Sequence, residues 1–190
     1  MRIPDRVRDA RSALERLEGA IPGFAGYKEK EMRREADRLL RRQLAGGFQQ
    51  QRGRLTDLQS RLSAAGQLRV VLALERCMMR LQLLIDRLKT AAYGYGGWFD
   101  AVKVKEKELD ALYSFDDALH AGVEEIAEWV EKLTVATEEQ VLLAVAEDLA
   151  SALEDLNDTF SKRQDVILDL EEGAQEKKET KKKKKKKKDE

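Results

Sequence analysis

The chain has 190 residues, 42% of them apolar and 38% charged, with two prolines, one cysteine and one histidine. That is enough for one buried core in heavily solvated elements, and it excludes an internal disulfide and a centre built from two histidines of one chain. The formal net charge of zero hides a sorting along the sequence: residues 1–100 carry 20 Lys and Arg against 12 Asp and Glu, 101–175 carry 6 against 20, and 176–190 carry 10 against 4. The basic and acidic blocks therefore either pair within one fold or face different partners, and the average charge says little about binding.

Abundant Ala, Leu, Glu, Arg and Lys lose little rotamer freedom in a helix, so the expected class is all-α, with no sheet. The expected organisation is an elongated antiparallel bundle of about five helices over residues 1–175, followed by a disordered polybasic tail over 176–190. Met1 to Asp5 open no signal-like apolar stretch, and no segment approaches the roughly 20 apolar residues of a membrane span, so a cytoplasmic location is expected.

The first predicted helix, about Asp5 to Ala20, places Val7, Ala10, Leu14 and Leu17 on one stripe and ends at Ile21-Pro22-Gly23. A second runs from near Tyr27 toward Ala65 through Met32, Leu39, Leu40, Leu44, Phe48, Leu55, Leu58 and Leu62. Its glycines at 46, 47 and 53 each cost about 0.5–1 kcal/mol relative to alanine, which leaves continuity or a bend both open. After a reversal at Ser63 to Gly66, a third helix over Gln67 to Ala92 carries Leu68, Val71, Leu72, Leu74, Cys77, Met78, Leu81, Leu84, Ile85 and Leu88. So broad an apolar face marks it as the most enclosed element. Cys77, set among leucines and methionines, reads as a buried small hydrophobe.

A fourth helix follows Asp100 and reaches Leu133 through Leu109, Leu112, Leu119, Val123, Ile126 and Val130, with Asp116 interrupting the apolar row. Arg69, Arg76 or Arg80 of the third helix are the expected partners of Asp116 in a buried structural pair. Thr137-Glu138-Glu139-Gln140 matches a capping box that opens the last helix. That helix carries Leu142, Leu149 and Leu156 at seven-residue spacing beside Leu153, Phe160 and Ile167, a seam that suits either the internal core or a coiled coil with a second chain. Its helicity is expected to fade beyond Glu172.

Two glycine-aromatic junctions stand out, Ile21-Pro22-Gly23-Phe24-Ala25-Gly26-Tyr27 and Tyr93-Gly94-Tyr95-Gly96-Gly97-Trp98-Phe99-Asp100. Chain direction puts both at one end of the bundle if the second helix is continuous. Phe24, Tyr27, Tyr95, Trp98 and Phe99 then form an aromatic plug or line a pocket. The second junction lacks the Lys-Ser/Thr of a phosphate loop. Asp117, His120 and Glu124 share a helix face, but one histidine makes a poor zinc set. No cofactor, metal or catalytic residue is expected, and Lys28 to Glu35 read as a salt-bridged solvated face.

Residues 21–37 and 93–103, in the patterns Ile-Pro-Gly-x-x-Gly-Tyr-x-x-Lys-Glu-x-Arg-Arg-x-x-Asp and Tyr-Gly-Tyr-x-Gly-x-Phe-Asp-Ala-Val-Lys, resemble segments of uncharacterised bacterial helical proteins. The resemblance implies a bacterial cytosolic source and no particular activity.

The tail carries Lys177 and Lys178 and then an unbroken run, Lys181, Lys182, Lys183, Lys184, Lys185, Lys186, Lys187 and Lys188. It reads three ways: a tether to nucleic acid or an anionic membrane surface, a strap over the acidic last helices, or a solubilising appendage. With no aromatic among the lysines, any nucleic-acid binding is expected to be sequence-indifferent, with Arg33, Arg34, Arg38, Arg41 and Arg42 assisting. The expected function is that of a non-enzymatic structural or interaction protein, with polyanion binding through the tail as the alternative; oligomeric state is left open.

Overall fold

A computed structural model describes residues 3–29, 32–91 and 106–186, with side chains described for 12–29, 32–91 and 106–169. It contains α1 (Ile3–Ala20), α2 (Arg33–Ala64), α3 (Leu68–Thr90), α4 (Glu106–Val135) and α5 (Glu139–Lys186), and no strand among the described residues. Helices α2, α3, α5 and α4 pack in that order as a ring, and α1 lies against α4.

The ring consists of two antiparallel hairpins laid side by side. Arg41 of α2 reaches the carbonyl of Leu88 on α3, and Asp116 of α4 meets Arg163 of α5, so within each hairpin residue numbers rise on one helix as they fall on the other. Between the hairpins the alignment is parallel. Arg80 and Arg87 of α3 reach carbonyls of α5 70 residues further on, at Ala150 and Asn157. The α3–α4 connection therefore joins two helices diagonal in the ring, both ends of it at one end of the bundle.

Helix α2 is unbroken through Gly46, Gly47 and Gly53. The first and third have open space where a Cβ would sit, whereas at Gly47 a Cβ would stand 2.6 Å from Cγ1 of Val123. Absence of a side chain there lets α2 close on α4, and Gly122 does the same for α4 against Leu156 of α5. The helix starts at Arg33, later than the expected Tyr27, because Tyr27 is drawn into the core from a loop. It ends as a Schellman turn, in which Gln67 N–H donates to Leu62 O and Gly66 N–H to Ser63 O, both at 3.0 Å. Gly66 holds the required left-handed conformation at φ 75°.

The core draws on all five helices, and the seam of α5 faces inward: Leu142, Leu149, Leu153, Leu156, Phe160 and Ile167 are buried within this bundle. At the start of α5 the first helical bond is accepted by Glu138 O from Leu142 N–H at 3.0 Å, one residue beyond the expected Thr137 cap. Past Glu172, where helicity was expected to fade, the backbone continues as helix to Lys186. Lysine is a good helix former, and like-charge neighbours one turn apart cost only a few tenths of a kcal/mol each.

Candidate functional site

At the end of the bundle where α1 and α3 finish, the loop after α1 carries Phe24 and Tyr27 into the core. Gly26 makes this possible: its φ is 72°, and a Cβ there would lie 2.7 Å from the hydroxyl of Tyr113. That hydroxyl accepts from the Tyr27 amide at 2.8 Å, and the two rings stack at 5.5 Å with 10° between their planes. Phe24 packs edge-on against Tyr27, also at 5.5 Å. Arg33 Nε donates to the Tyr27 carbonyl at 2.8 Å, so both ends of this residue's backbone are tied down.

The Tyr27 hydroxyl donates to Asp116 Oδ2 at 2.8 Å. On the other side of the same carboxylate, Arg163 Nε of α5 donates to Oδ1 at 2.5 Å. Arg163 Nη2 donates to Asp37 Oδ1 of α2 at 2.8 Å and to the Tyr27 oxygen at 3.2 Å, thereby crossing the diagonal of the ring. Asp37 Oδ2 in turn accepts from Arg41 Nε at 2.8 Å, and Arg41 Nη1 donates to Leu88 O at 2.7 Å. Tyr27, Asp37, Asp116 and Arg163 are each 0% exposed. One connected set of bonds thus fastens the loop to α2, α3, α4 and α5.

Burial pushes the Tyr27 hydroxyl well above its ordinary range, with Asp116 adding to the effect, so it remains a donor. Burial also lifts the Asp116 carboxyl, against the pull of Arg163 and the Tyr27 hydrogen bond. For Arg163 burial works against the charge, but Asp116, Tyr27 and Asp37 more than offset it and hold the guanidinium charged. These groups are enclosed on every side, and the chemistry of the set is that of a clamp between elements.

Asp116 is the buried structural acid its sequence position suggests, but its partner is Arg163, not Arg69, Arg76 or Arg80. Those arginines lie on the outer side of the α3–α5 seam: Arg69 sits 3.6 Å from Glu139, and Arg80 Nη2 lies 3.0 Å from Glu154. Arg33 and Arg41, expected to help hold polyanions, are 3% and 5% exposed and committed to the clamp, because the helix turns their face inward. Arg34, Arg38 and Arg42 remain exposed. Asp117 accepts from Arg16 Nε at 2.9 Å, and no group of potential metal ligands forms among the described residues. Phe24 and Tyr27 of the expected plug are buried. Tyr95, Trp98 and Phe99 lie outside the described residues, as do the side chains of the tail lysines.

A second feature lies on the outer surface. Leu68, Leu72, Met79 and Leu83 of α3 are 62%, 63%, 61% and 53% exposed. At 100° per residue they fall within about 60° of one another, opposite the buried row of Val70, Cys77, Leu81, Leu84 and Leu88. Helix α3 is thus apolar on two opposed faces, so part of the broad apolar face that marked it as the most enclosed element is open to solvent. Leu72 and Met79 of the stripe, with Arg69, Ala73, Glu75, Arg76 and Leu143, line an open groove of about 470 Å³. No helix is long and apolar enough to cross a membrane among the described residues. No protein-family model matches the chain, no curated protein matches its sequence, and no solved structure matches its fold.

Proposed function

We propose that the protein is a non-enzymatic scaffold or adaptor of a bacterial cytoplasm, and that it engages a protein partner through the outer face of α3. The observation that supports this is the solvent-facing row of Leu68, Leu72, Met79 and Leu83. Single exposed leucines are ordinary on a protein surface, but four large apolar side chains aligned opposite the core form a row of the kind that marks contact sites. The test is affinity capture from native lysate with the wild type and with the double variant Leu72→Glu, Met79→Glu. A partner held by the wild type and released by the variant supports the reading; an identical captured set overturns it. Unchanged helical circular dichroism and melting of the variant establish that the loss is local.

A second reading, nonspecific attachment to nucleic acid or an anionic membrane surface, is favoured by the run Lys181 to Lys188 with the exposed Arg34, Arg38 and Arg42. Truncation after Gln175 then abolishes mobility shifts with duplex DNA or sedimentation with phosphatidylserine vesicles at low salt, and binding of the full chain falls steeply as salt rises. Equal retention of full and truncated chains removes this reading.

A further inference from the structure

We infer that the polyanion met by the lysine run is double-stranded DNA, held in its major groove; this rests on the second reading above, in which the tail is the binding element. The first argument is position. Asp116 and Arg163 stand level on antiparallel helices, so Glu106, where α4 begins, comes level with residue 173 of α5. Helices α2 and α3 stop short of that level, since Asp37 is level with Arg163 and Arg87 with Asn157. The α5 backbone continues to Lys186, so the run that starts at Lys181 begins about 12 Å beyond them, at 1.5 Å per residue. A continuous helix does not turn back over its own acidic flank, so the run is presented outward. Residues 1–175 carry 26 Lys and Arg against 32 Asp and Glu, and attraction to a polyanion therefore belongs to the tail.

The second argument is shape. Lys181 to Lys186 take up positions all round the helix axis, with no arc wider than about 100° free of lysine. No apolar residue follows Ala174, so there is no face to sink into a lipid interface, and a flat anionic sheet meets one side of the helix only. The major groove of B-form DNA is about 12 Å wide, admits a helix and is walled by phosphates on both sides. The run of Lys181 to Lys188 amounts to about 12 Å of helix, a length that such a groove takes. The deep, narrow major groove of an RNA duplex does not admit it. Glu171, Glu172, Glu176 and Glu179 stand between the run and the bundle and confine the contact to the run. Lysines without aromatic neighbours or the fork of arginine hold phosphates and read no bases, so the contact is sequence-indifferent.

The test compares binding of the full chain to a DNA duplex of about 20 base pairs, to the RNA duplex of the same sequence and to phosphatidylserine vesicles, at equal concentrations of anionic charge. Expected is DNA binding that falls about a thousandfold between about 50 and 200 mM salt, the loss that goes with about six neutralised phosphates, and affinities for RNA and vesicles about tenfold or more weaker. The double variant Thr180→Lys, Lys184→Pro keeps the number of lysines and breaks the helix within the run. It should weaken DNA binding about tenfold and leave retention on vesicles unchanged. RNA or vesicles held as tightly as DNA, or DNA binding indifferent to the helix break, overturns the groove proposal, while loss of all binding on truncation after Gln175 still supports the tail as the binding element. No binding by the full chain, or equal binding by full and truncated chains, removes both, so the two failures are distinguishable.

Discussion

Asp116 and Gly122 lie less than two turns apart on α4 and meet α5 in opposite ways. At Asp116 the contact is directional: one carboxylate holds Arg163 on one oxygen and Tyr27 on the other, with Asp37 completing the set from α2. At Gly122 there is no side chain at all, and Leu156 occupies the space where a Cβ would be. The first contact determines which residues stand at the same height, because a buried charge off register is left unpaired. The second determines how closely the helices approach, and one apolar neighbour would serve as well as another. Register and proximity are thus set at separate places on the same pair of helices.

The comparison is tested most severely at Arg163. Arg163→Ala leaves Asp116 and Asp37 buried without that cation, and a loss of about 3–5 kcal/mol in urea unfolding is expected. Combining Arg163→Met with Asp116→Leu should cost less than Arg163→Ala alone, because the buried charge leaves with its partner. At the close crossing, Gly122→Ala forces a methyl into Leu156, with an expected loss of about 1–3 kcal/mol, and Gly47→Ala repeats this against Val123. If Gly122→Ala costs as much as Arg163→Ala, the division into register and proximity fails. Tyr27→Phe removes one donor from Asp116 while leaving the ring stack with Tyr113, for about 1–2 kcal/mol by the same unfolding measurement. The smallest effect has the opposite sign. Gly53→Ala meets open space within a continuous helix and should stabilise by about 0.5–1 kcal/mol, visible as a raised melting temperature.

The helices and their reversals were legible because three-four spacing marks an apolar face, whereas the inward placement of the α5 leucines was not, since a row packed in its own core and a row packed on a second chain have the same spacing. Asp116 was legible as a structural acid because it interrupts an apolar row. Its partner was not: Arg163 sits between Lys162 and Gln164 in a charged stretch that resembles a solvated surface. The signal that would have found it is the seven-residue row of Leu142, Leu149 and Leu156, whose next member is Arg163. Arg33, Asp37 and Arg41 were hidden in the same way, since alternating charges one turn apart look alike whether they face water or an oppositely charged interior. The second apolar face of α3 merged with the first when its leucines were counted together, and only their angular separation distinguishes them.

The single thiol lies at the seam of α3 and α5, where Cys77 Sγ approaches the Ala146 carbonyl at 3.2 Å and is fully enclosed. Burial pushes its pKa from 9.0 to about 11, so at neutral pH it is both inaccessible and protonated. Modification by a maleimide must then await separation of the two helices, which makes the chain its own clock for that opening: the labelling rate divided by that of the unfolded thiol gives the fraction of time the seam is parted. The same thiol gives the clock an alkaline limit. A folded pKa raised above the unfolded one contributes stability that is complete below about pH 9 and is lost as pH rises through about 11, so the seam should part more often across that interval.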